Sequence, residues 1–254
     1  MNIALTIAGS DPSGGAGMQA DLKVFHRFGV YGLSALSAAT AQNTFRISAI
    51  ERIEGLFLYE QLNTLLTDMR PDALKTGMLL SSEAVRSVAR AVTSYSLQNL
   101  VVDTVMLSST GSSLLEKKAS EVMKEELFPL AKVITPNIVE ASTLTGVEVS
   151  DEGTMEEAAL ALKRFGPEFV VVTGGHLETE TLELLYDGNA FHRFRGRKIA
   201  GEYHGTGCAF SAAIAAMLAK GASVIDAVRE AKAFVTGAIE SPLALGKGMK
   251  LLNL

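Results

Sequence analysis

Short apolar segments alternate with amphipathic segments along almost all of the 254 residues, and this alternation limits the fold more than any other feature of the sequence. The apolar segments are rich in Val, Ile and Leu with little polar alternation, as is typical of parallel strands covered on both faces. Such an alternation predicts an α/β fold around a mostly parallel sheet. The predicted strands are residues 3–8, 32–41, 73–76, 100–103, 132–135 and 169–173, and the predicted helices are residues 18–28, 56–69, 82–94, 114–127, 139–144, 155–164, 206–220 and 224–240.

The region after residue 180 adds a different element. Residues 181–186 and 190–194 flank Asp187-Gly188-Asn189, a turn signal that predicts an antiparallel hairpin at the edge of the sheet. The short basic stretch 193–198 is interpreted as the exposed side of this hairpin rather than a binding patch. We interpret residues 1–254 as a single domain, in which ligands are expected at the carboxyl ends of the strands.

The composition excludes several classes of function. With 23 Lys and Arg residues scattered among 28 Asp and Glu, the net charge is -5, which argues against nucleic-acid binding. Apolar runs are too short to cross a bilayer, and the first residues lack the basic segment of a signal peptide. The one cysteine, Cys208, cannot form an internal disulfide. These features predict a soluble protein of the cytoplasm.

A glycine-rich loop at residues 9–17 lies between the first predicted strand and the first predicted helix. Its backbone amides can approach a ligand closely and present a helix N-terminus to it. The spacing matches neither a Walker loop nor a dinucleotide-binding loop, and a turn without a ligand explains the glycines equally well. Asp21, one helical turn after Gly17, is expected to point back toward the same place.

A second turn, His204-Gly205-Thr206-Gly207-Cys208, leads into an apolar helix. Small residues at a helix start leave the N–H groups of Gly205, Thr206 and Gly207 able to hold an anion such as a transferring phosphoryl group. In this field the pKa of Cys208 is expected to fall, so that its thiolate accepts the proton of a substrate hydroxyl. The alternative is that Cys208 is a small buried side chain of the helix.

Two carboxylates lie at predicted strand ends. Asp103 ends one apolar strand, and Glu140 follows Thr135-Pro136-Asn137 closely. Carboxylates at adjacent strand ends suit Mg²⁺, which keeps most of its waters and bridges to phosphate. Taken singly, Asp103 is also compatible with a turn or capping residue and Glu140 with a first-turn acid.

Together these segments resemble the hydroxymethylpyrimidine/phosphomethylpyrimidine kinases of thiamine biosynthesis, in the ribokinase-like superfamily. The resemblance extends from residue 3 to about residue 248. The matching segments are residues 7–21, Ala41-Gln42-Asn43-Thr44, Lys75-Thr76-Gly77-Met78, residues 102–106, Ile134-Thr135-Pro136-Asn137, Gly174-Gly175-His176 and residues 204–208.

The resemblance implies a three-layer α/β/α fold without a separate lid domain, often assembled as a homodimer, that uses ATP with Mg²⁺. Whether K⁺ is needed stays open. The implied substrate-binding residues are Gln42 and Asp21, which hydrogen-bond an aminopyrimidine, and Gly9, Met78 and Val105 beside its ring. The implied ATP-binding residues are Asn137, Thr173, Gly175 and Thr206; the implied metal-binding residues are Asp103 and Glu140; the implied anion hole and base are residues 205–208.

One residue departs from the family pattern. Many members carry a lysine before Gly-Gly-His, where this chain has Thr173, and a hydroxyl donates one hydrogen bond but carries no charge.

The leading interpretation of the resemblance is two successive phosphorylations, of 4-amino-5-hydroxymethyl-2-methylpyrimidine and of its monophosphate. Pyridoxal kinase is the enzymatic alternative, because its substrate is also a hydroxymethyl group on a flat nitrogen heterocycle. A non-catalytic pyrimidine-binding protein is the alternative from another class.

Overall fold

The computed structural model describes residues 1–106, 115–175 and 180–254, and within them nine strands form one sheet in the order β3-β2-β1-β4-β5-β6-β7-β8-β9. Strands β2, β1, β4, β5, β6 and β7 run parallel, whereas β3, β8 and β9 pair antiparallel at the two edges. The strands are β1 Ile3–Gly9, β2 Tyr31–Gln42, β3 Ile47–Arg52, β4 Ala73–Thr76, β5 Leu100–Val102, β6 Val133–Ile134, β7 Phe169–Thr173, β8 Glu180–Tyr186 and β9 Phe191–Arg197.

Helices cover both faces of this sheet. They are α1 Gly17–Arg27, α2 Gly55–Leu66, α3 Ser82–Ser94, α4 Lys117–Val122, α5 Ile138–Thr145, α6 Glu152–Lys163, α7 Thr206–Ala219 and α8 Val224–Glu240. A π-helical turn, Met123–Leu127, and a 3₁₀ turn, Phe128–Leu130, extend α4. No helix in the described ranges has the length and apolar character that a membrane crossing requires.

Alternate residues of the buried strands build two separate apolar layers. Val102, Ile134 and Val172 face one side of the sheet, where they pack with α2, α3 and α6. Val101 and Val133, one position earlier, face the other side and pack with α1, α7 and α8. The period of two along each strand thus produces the three-layer α/β/α arrangement, which confirms the predicted fold class.

The structure confirms the six predicted parallel strands, the hairpin and the helices, with boundary shifts of a few residues. Strand β3 was not predicted, because five of its six residues are exposed and it lacks an apolar pattern. A small parallel pair, β10 Tyr203–His204 and β11 Lys250–Leu251, was also missed because two residues carry no periodicity. Residue 114, where a helix was predicted to begin, lies outside the described residues.

The order of the strands marks the place where a ligand is expected. Strand β1 lies between β2 and β4 in the sheet. The connection from β1 to β2 runs through α1 on one face, and the connection from β3 to β4 runs through α2 on the other. Such a reversal leaves a crevice outside the carboxyl ends of the strands. The glycine loop follows β1 and residues 77–81 follow β4, so both border this crevice.

Candidate active site

Two glycine turns pack backbone against backbone at the crevice. Gly205 has a φ of +85°, and a Cβ atom there would lie 1.9 Å from the carbonyl oxygen of Gly15. Gly17 has a φ of +59°, and its Cβ would lie 2.4 Å from the carbonyl oxygen of Gly9. Only glycine combines this backbone conformation with so close an approach. The two turns therefore bring the N-termini of α1 and α7 together, and the backbone N–H of Gly17 acts to lower the pKa of Cys208.

Asp11 organises the first of these loops. Its carboxylate accepts hydrogen bonds from the backbone N–H groups of Ser13 and Ala16, each at 2.9 Å. It also lies 2.8 Å from Nε2 of His204, which belongs to the second turn. Burial raises the pKa of Asp11, but the hydrogen bonds from His204 and Ser13 outweigh burial and lower it overall. The charged carboxylate of Asp11 thus links the glycine loop to the turn at His204.

The residues expected around a substrate ring lie at the ends of β1, β2 and β4. Gln42 is half-buried, with its amide nitrogen 3.1 Å from Nε2 of His204. A Cβ on Gly9 would lie 2.3 Å from the methyl carbon of Met78, so the absence of a side chain at Gly9 makes room for Met78. Val105 is half-buried three residues after β5. Gly9, Gln42 and Met78 therefore border one crevice.

Asp21 does not fit its expected role. Its carboxylate has no exposed surface, and it accepts hydrogen bonds from Nζ of Lys75 at 2.9 and 3.0 Å and from the hydroxyl of Thr6 at 2.6 Å. Because these buried partners take up both oxygens, the carboxylate is not presented to a ring. We correct the expectation accordingly: in this structure Asp21 is the counter-ion of Lys75.

The protonation of Cys208 also differs from the expectation. Burial raises the pKa of the thiol to about 12, while the positive charge of Lys75 opposes that rise and the charge of Asp103 adds to it. The helix N-terminus was expected to lower this pKa, and the loss of hydration outweighs it. In this arrangement the thiol keeps its proton at neutral pH, so a thiolate needs further positive charge from the site or from a bound ligand.

Asp103 and Glu140 lie close enough to interact. Burial raises the pKa of Glu140 to about 7, and the charge of Asp103 adds to this rise. Glu140 accepts hydrogen bonds from the Thr104 hydroxyl at 2.9 Å and from the Met106 N–H at 3.3 Å. Two acids that repel each other fit a divalent cation near them. The described residues contain no group of three or more His, Cys, Asp or Glu arranged to hold a metal ion.

The expected nucleotide residues fall into two places. Asn137 caps α5 by accepting from the N–H groups of Val139 and Glu140, and it forms an isolated parallel bridge with Thr173 at the end of β7. Thr206 begins α7, directly after the turn at Gly205. Gly175 is exposed two residues beyond β7, and the adjacent His176 lies outside the described residues.

Two residues without a predicted role also belong to the site. Lys75 is fully buried, and its Nζ lies 3.7 Å from the Asp103 carboxylate as well as against Asp21. The hydroxyl of Ser211 donates to Asp103 at 2.9 Å and so connects α7 with the end of β5. A lysine inside an otherwise apolar predicted strand was the available signal for Lys75. Ser211, in an apolar helix, offered a weaker one.

Residues 11–253 match the family described as phosphomethylpyrimidine kinase, so the chain belongs to that family. A thiamine biosynthesis bifunctional protein of Geobacter sulfurreducens is 46% identical over 98% of this chain, which spans only 51% of that longer protein. A hydroxymethylpyrimidine/phosphomethylpyrimidine kinase of Bacillus subtilis is 41% identical, over 96% of this chain and 92% of its own.

Solved structures share the whole fold. An ADP complex of Bacillus subtilis pyridoxal kinase superposes with a TM-score of 0.91 and 38% identity, covering 99% of this chain and 96% of that one. A phosphomethylpyrimidine kinase from Clostridium difficile gives a TM-score of 0.84 with 38% identity, covering 94% of this chain and all of its own. The ribokinase-like architecture inferred from the sequence motifs is thereby confirmed.

Proposed function

We propose that the chain transfers phosphate from ATP to 4-amino-5-hydroxymethyl-2-methylpyrimidine and then to the resulting monophosphate, in the biosynthesis of thiamine. The observation that carries this proposal is the turn at Gly205. It begins α7 at the crevice beside β1, with Cys208 in the first turn of that helix. Backbone amides at such a turn suit a migrating phosphoryl group, since its transfer depends mainly on positioning and charge stabilisation. The name of the Bacillus subtilis relative favours the pyrimidine as acceptor, and that of the Geobacter sulfurreducens relative favours a role in thiamine biosynthesis.

In the proposed reaction, the amides of residues 205–207 hold the γ-phosphoryl group while the hydroxymethyl oxygen of the acceptor attacks it. Cys208 accepts the proton of that hydroxyl. Gln42 hydrogen-bonds the ring, and Gly9, Met78 and Val105 border the ring and hold it in place. Because transfer of a phosphoryl group is largely dissociative, the hydroxyl loses its proton late in the reaction. Cys208 can take that proton only as a thiolate, which positive charge from the site or from a bound ligand would have to favour, since the resting thiol is protonated.

Asn137, Thr173, Gly175 and Thr206 are proposed to contact the nucleotide. The buried hydroxyl of Thr135, at the end of β6, has no hydrogen-bond partner among the described residues and offers one more polar group at this edge of the sheet. Asp103 and Glu140 are proposed to hold Mg²⁺, which would neutralise charge on the phosphates. Thr173 supplies no positive charge here.

The experiment that tests this proposal is an incubation with Mg-ATP and each of two heterocycles, the hydroxymethylpyrimidine and pyridoxal. Products are identified by mass, and kcat/KM is compared between the two. We expect a monophosphate and then a diphosphate from the pyrimidine, with the higher kcat/KM. A higher kcat/KM for pyridoxal would make pyridoxal kinase the principal activity. Binding without turnover of either compound would indicate a pyrimidine-binding protein.

Pyridoxal kinase is kept as a second candidate because a solved pyridoxal kinase has the higher TM-score of the two structures compared. The fold is therefore compatible with either acceptor, and the choice between the pyrimidine and pyridoxal depends on the side chains around the ring. We further propose, from the family resemblance, a homodimer in the cytoplasm that requires Mg²⁺, with K⁺ as the monovalent cation to be tested. Sedimentation of the purified chain and titration with each cation test these points.

A further inference from the structure

One hydrogen-bonding network connects the glycine loop, the turn at His204 and the proposed substrate residue Gln42. Nε2 of His204 lies 2.8 Å from Oδ2 of Asp11 and 3.1 Å from the amide nitrogen of Gln42. His204 is 4% exposed and Asp11 is 2% exposed, so little water competes for these contacts. The protons within this network therefore decide how Gln42 presents its amide.

The proton on His204 can be assigned from the contacts of Asp11. Oδ2 of Asp11 already accepts from the Ala16 N–H and from the Ser13 hydroxyl, each at 2.9 Å, and Oδ1 accepts from the Ser13 N–H. An ionised carboxylate accepts hydrogen bonds and donates none. Nε2 of His204 is therefore the donor to Oδ2 and carries a proton.

This proton conflicts with the amide nitrogen of Gln42, because two donors then face each other. The other end of the same amide meets a similar conflict. Oε1 of Gln42 lies 3.3 Å from the hydroxyl of Thr40, whose single proton goes to the carbonyl oxygen of Ser10 at 2.8 Å. Two oxygens therefore face each other without a proton between them.

A half turn of the Gln42 amide about its last side-chain bond removes both conflicts. Exchanging the oxygen and the nitrogen leaves the shape of the side chain almost unchanged. The oxygen then accepts from the Nε2–H of His204, and the NH₂ group donates to the hydroxyl oxygen of Thr40. Both partners are buried and are held by Asp11 and Ser10, so this order of oxygen and nitrogen is set before a substrate binds.

We propose that His204 is a positioning residue for the acceptor, which holds the Gln42 amide with its oxygen on the His204 side and its NH₂ group on the Thr40 side. This role rests on the proposed function, in which Gln42 hydrogen-bonds the ring. The oxygen keeps a second lone pair and the NH₂ group a second N–H, so the amide offers an acceptor beside a donor in a fixed order. The matching ligand has a ring nitrogen next to an exocyclic amino group.

This order of acceptor and donor distinguishes the two candidate substrates. The aminopyrimidine carries its amino group next to a ring nitrogen, so it supplies one donor and one acceptor to the amide. In pyridoxal a methyl group and a hydrogen atom flank the ring nitrogen, so no donor lies beside it. A site whose buried polar groups lose their partners discriminates against such a ligand. His204 thus contributes to the choice of acceptor through Gln42.

The arrangement is tested first without any ligand. NMR of the purified wild-type protein, labelled with ¹⁵N, distinguishes a ring nitrogen that carries a proton from one that does not. We expect a protonated Nε2 on His204 at neutral pH, and NOE contacts from the Gln42 amide protons that are stronger to the Thr40 side chain than to the His204 ring. An unprotonated Nε2, or the reverse order of NOE contacts, would overturn the inference.

The consequence for the acceptor is tested with two ligands of the same shape. Compared with the 4-amino pyrimidine, its 4-oxo analogue exchanges donor and acceptor at the edge that pairs with the amide. We expect wild type to bind the amino compound about 100-fold more tightly, because the oxo compound leaves like groups facing each other. His204→Leu frees the amide to turn, so the ratio of the two Kd values, measured by calorimetry, is expected to fall about tenfold.

The ratio separates orientation of the amide from general damage. A loosened turn would weaken both ligands alike, and an unchanged ratio in a folded His204→Leu protein would therefore overturn the role of His204. His204→Gln places an amide N–H near the position of Nε2, so it is expected to recover most of the preference. A loss as large as that in His204→Leu would count against the donor.

A matched control lies in the β8–β9 hairpin. Nε2 of His192 is 2.8 Å from Oδ2 of Asp187, the same kind of pair at the same distance, at the edge of the sheet. His192→Leu is expected to leave the ratio of Kd values unchanged. If the ratio falls equally in His192→Leu and His204→Leu, the preference does not depend on contact with Gln42, and the inference fails.

A second variant covers the case in which His204→Leu does not fold. Thr40→Val removes the acceptor for the NH₂ group and keeps the shape of the side chain, so it is expected to lower the same ratio. An unchanged ratio in Thr40→Val would contradict the fixed order.

The NMR measurement needs no substrate, so the two proposals can fail separately. If wild type binds and phosphorylates neither heterocycle while Nε2 is protonated and the NOE contacts have the expected order, the proposed function fails and the orientation of Gln42 stands. If the pyrimidine is phosphorylated while Nε2 is unprotonated, the role of His204 fails alone.

Discussion

Glycines that look equivalent in the sequence have different physical roles. Gly205 and Gly221 have nearly the same backbone conformation, with φ values of +85° and +83°. A Cβ at Gly221 meets nothing within 4 Å, whereas one at Gly205 meets the backbone of Gly15. The conformation is thus a shared requirement, and the close approach belongs only to the turn at the active site.

Gly205→Ala is therefore expected to cost much more stability than Gly221→Ala. The left-handed conformation alone costs about 1–2 kcal/mol for a residue with a Cβ, which is the expected loss at Gly221. At Gly205 the clash with Gly15 forces the two turns apart, so we expect a larger loss together with loss of turnover. Urea unfolding and steady-state rates measure both. Equal losses of stability would show that the turns separate without strain.

Cys208→Ala is expected to affect the two proposed phosphorylations unequally. The hydroxymethyl group must lose a proton, and removal of the base is expected to lower the rate of this first step by about 10²-fold or more. A phosphate monoester, with a second pKa of about 6, is already largely ionised at neutral pH and needs no base. The second step, started from the synthetic monophosphate, serves as the internal control.

Single-turnover rates for each acceptor, with ATP binding measured by calorimetry, check this prediction. ATP binding is expected to be retained, and Cys208→Asp is expected to recover part of the first step because a carboxylate can accept the same proton. If Cys208→Ala slows both steps alike, the sulfur supports the geometry of the turn rather than proton transfer.

At the scale of elements, the chain carries two capping boxes of similar construction. At the start of α5, Asn137 accepts from the first turn while Glu140 accepts from the Asn137 N–H. At the start of α6, Asp151 and Thr154 make the corresponding pair, which is exposed and lies outside the site. The same local chemistry thus begins both helices, but only α5 begins beside the proposed nucleotide.

These boxes provide a matched comparison. Asn137→Ala and Asp151→Ala are each expected to destabilise the protein by about 1 kcal/mol, because each removes an N-cap. Only Asn137→Ala is expected to raise KM for ATP, by several-fold, because Asn137 also lies next to Thr173, with which its backbone forms a β-bridge. Denaturant unfolding and ATP titrations measure the two effects. An unchanged KM for ATP in Asn137→Ala would show that Asn137 caps α5 and does not contact the nucleotide.

At the scale of the whole molecule, the last residues of the chain complete the site. Strand β11 pairs with β10, so that Leu251 lies opposite His204. A Cβ on Gly15 would lie 2.6 Å from a methyl carbon of Leu251, which shows that this side chain packs on the glycine loop. The glycine loop and the turn at His204 are thus held by a segment that is distant in the sequence.

Leu251→Ala is therefore expected to destabilise the protein by about 2–5 kcal/mol, as is usual for a buried leucine, and to lower kcat by loosening the turn at His204. Leu245→Ala, where the side chain is 78% exposed, is the control and is expected to change stability by no more than about 0.5 kcal/mol. Thermal unfolding and turnover are measured on both variants. A normal kcat in a folded Leu251→Ala protein would show that the C-terminal strand does not support the geometry of the site.

The sequence by itself determined the elements and the edge of the sheet where the site lies. Short apolar runs with little polar alternation and amphipathic runs of period 3.6 are carried by neighbouring residues, so strands such as β4 and helices such as α8 could be predicted closely. The glycine turns and the carboxylates at strand ends indicated the ligand edge for the same reason. The family motifs supplied Gln42 and the identity of the ring, which no local pattern contains.

Only the tertiary structure decided which charges meet. The helix start predicted a lowered pKa for Cys208, yet burial raises it, since hydration is lost to residues far away in the chain. Asp21 points to Lys75 instead of a ring, and Lys75 lies 54 positions later in the sequence. Electrostatic energies depend on distance in space and on exclusion of water, and the sheet sets both only when separate strands and helices assemble.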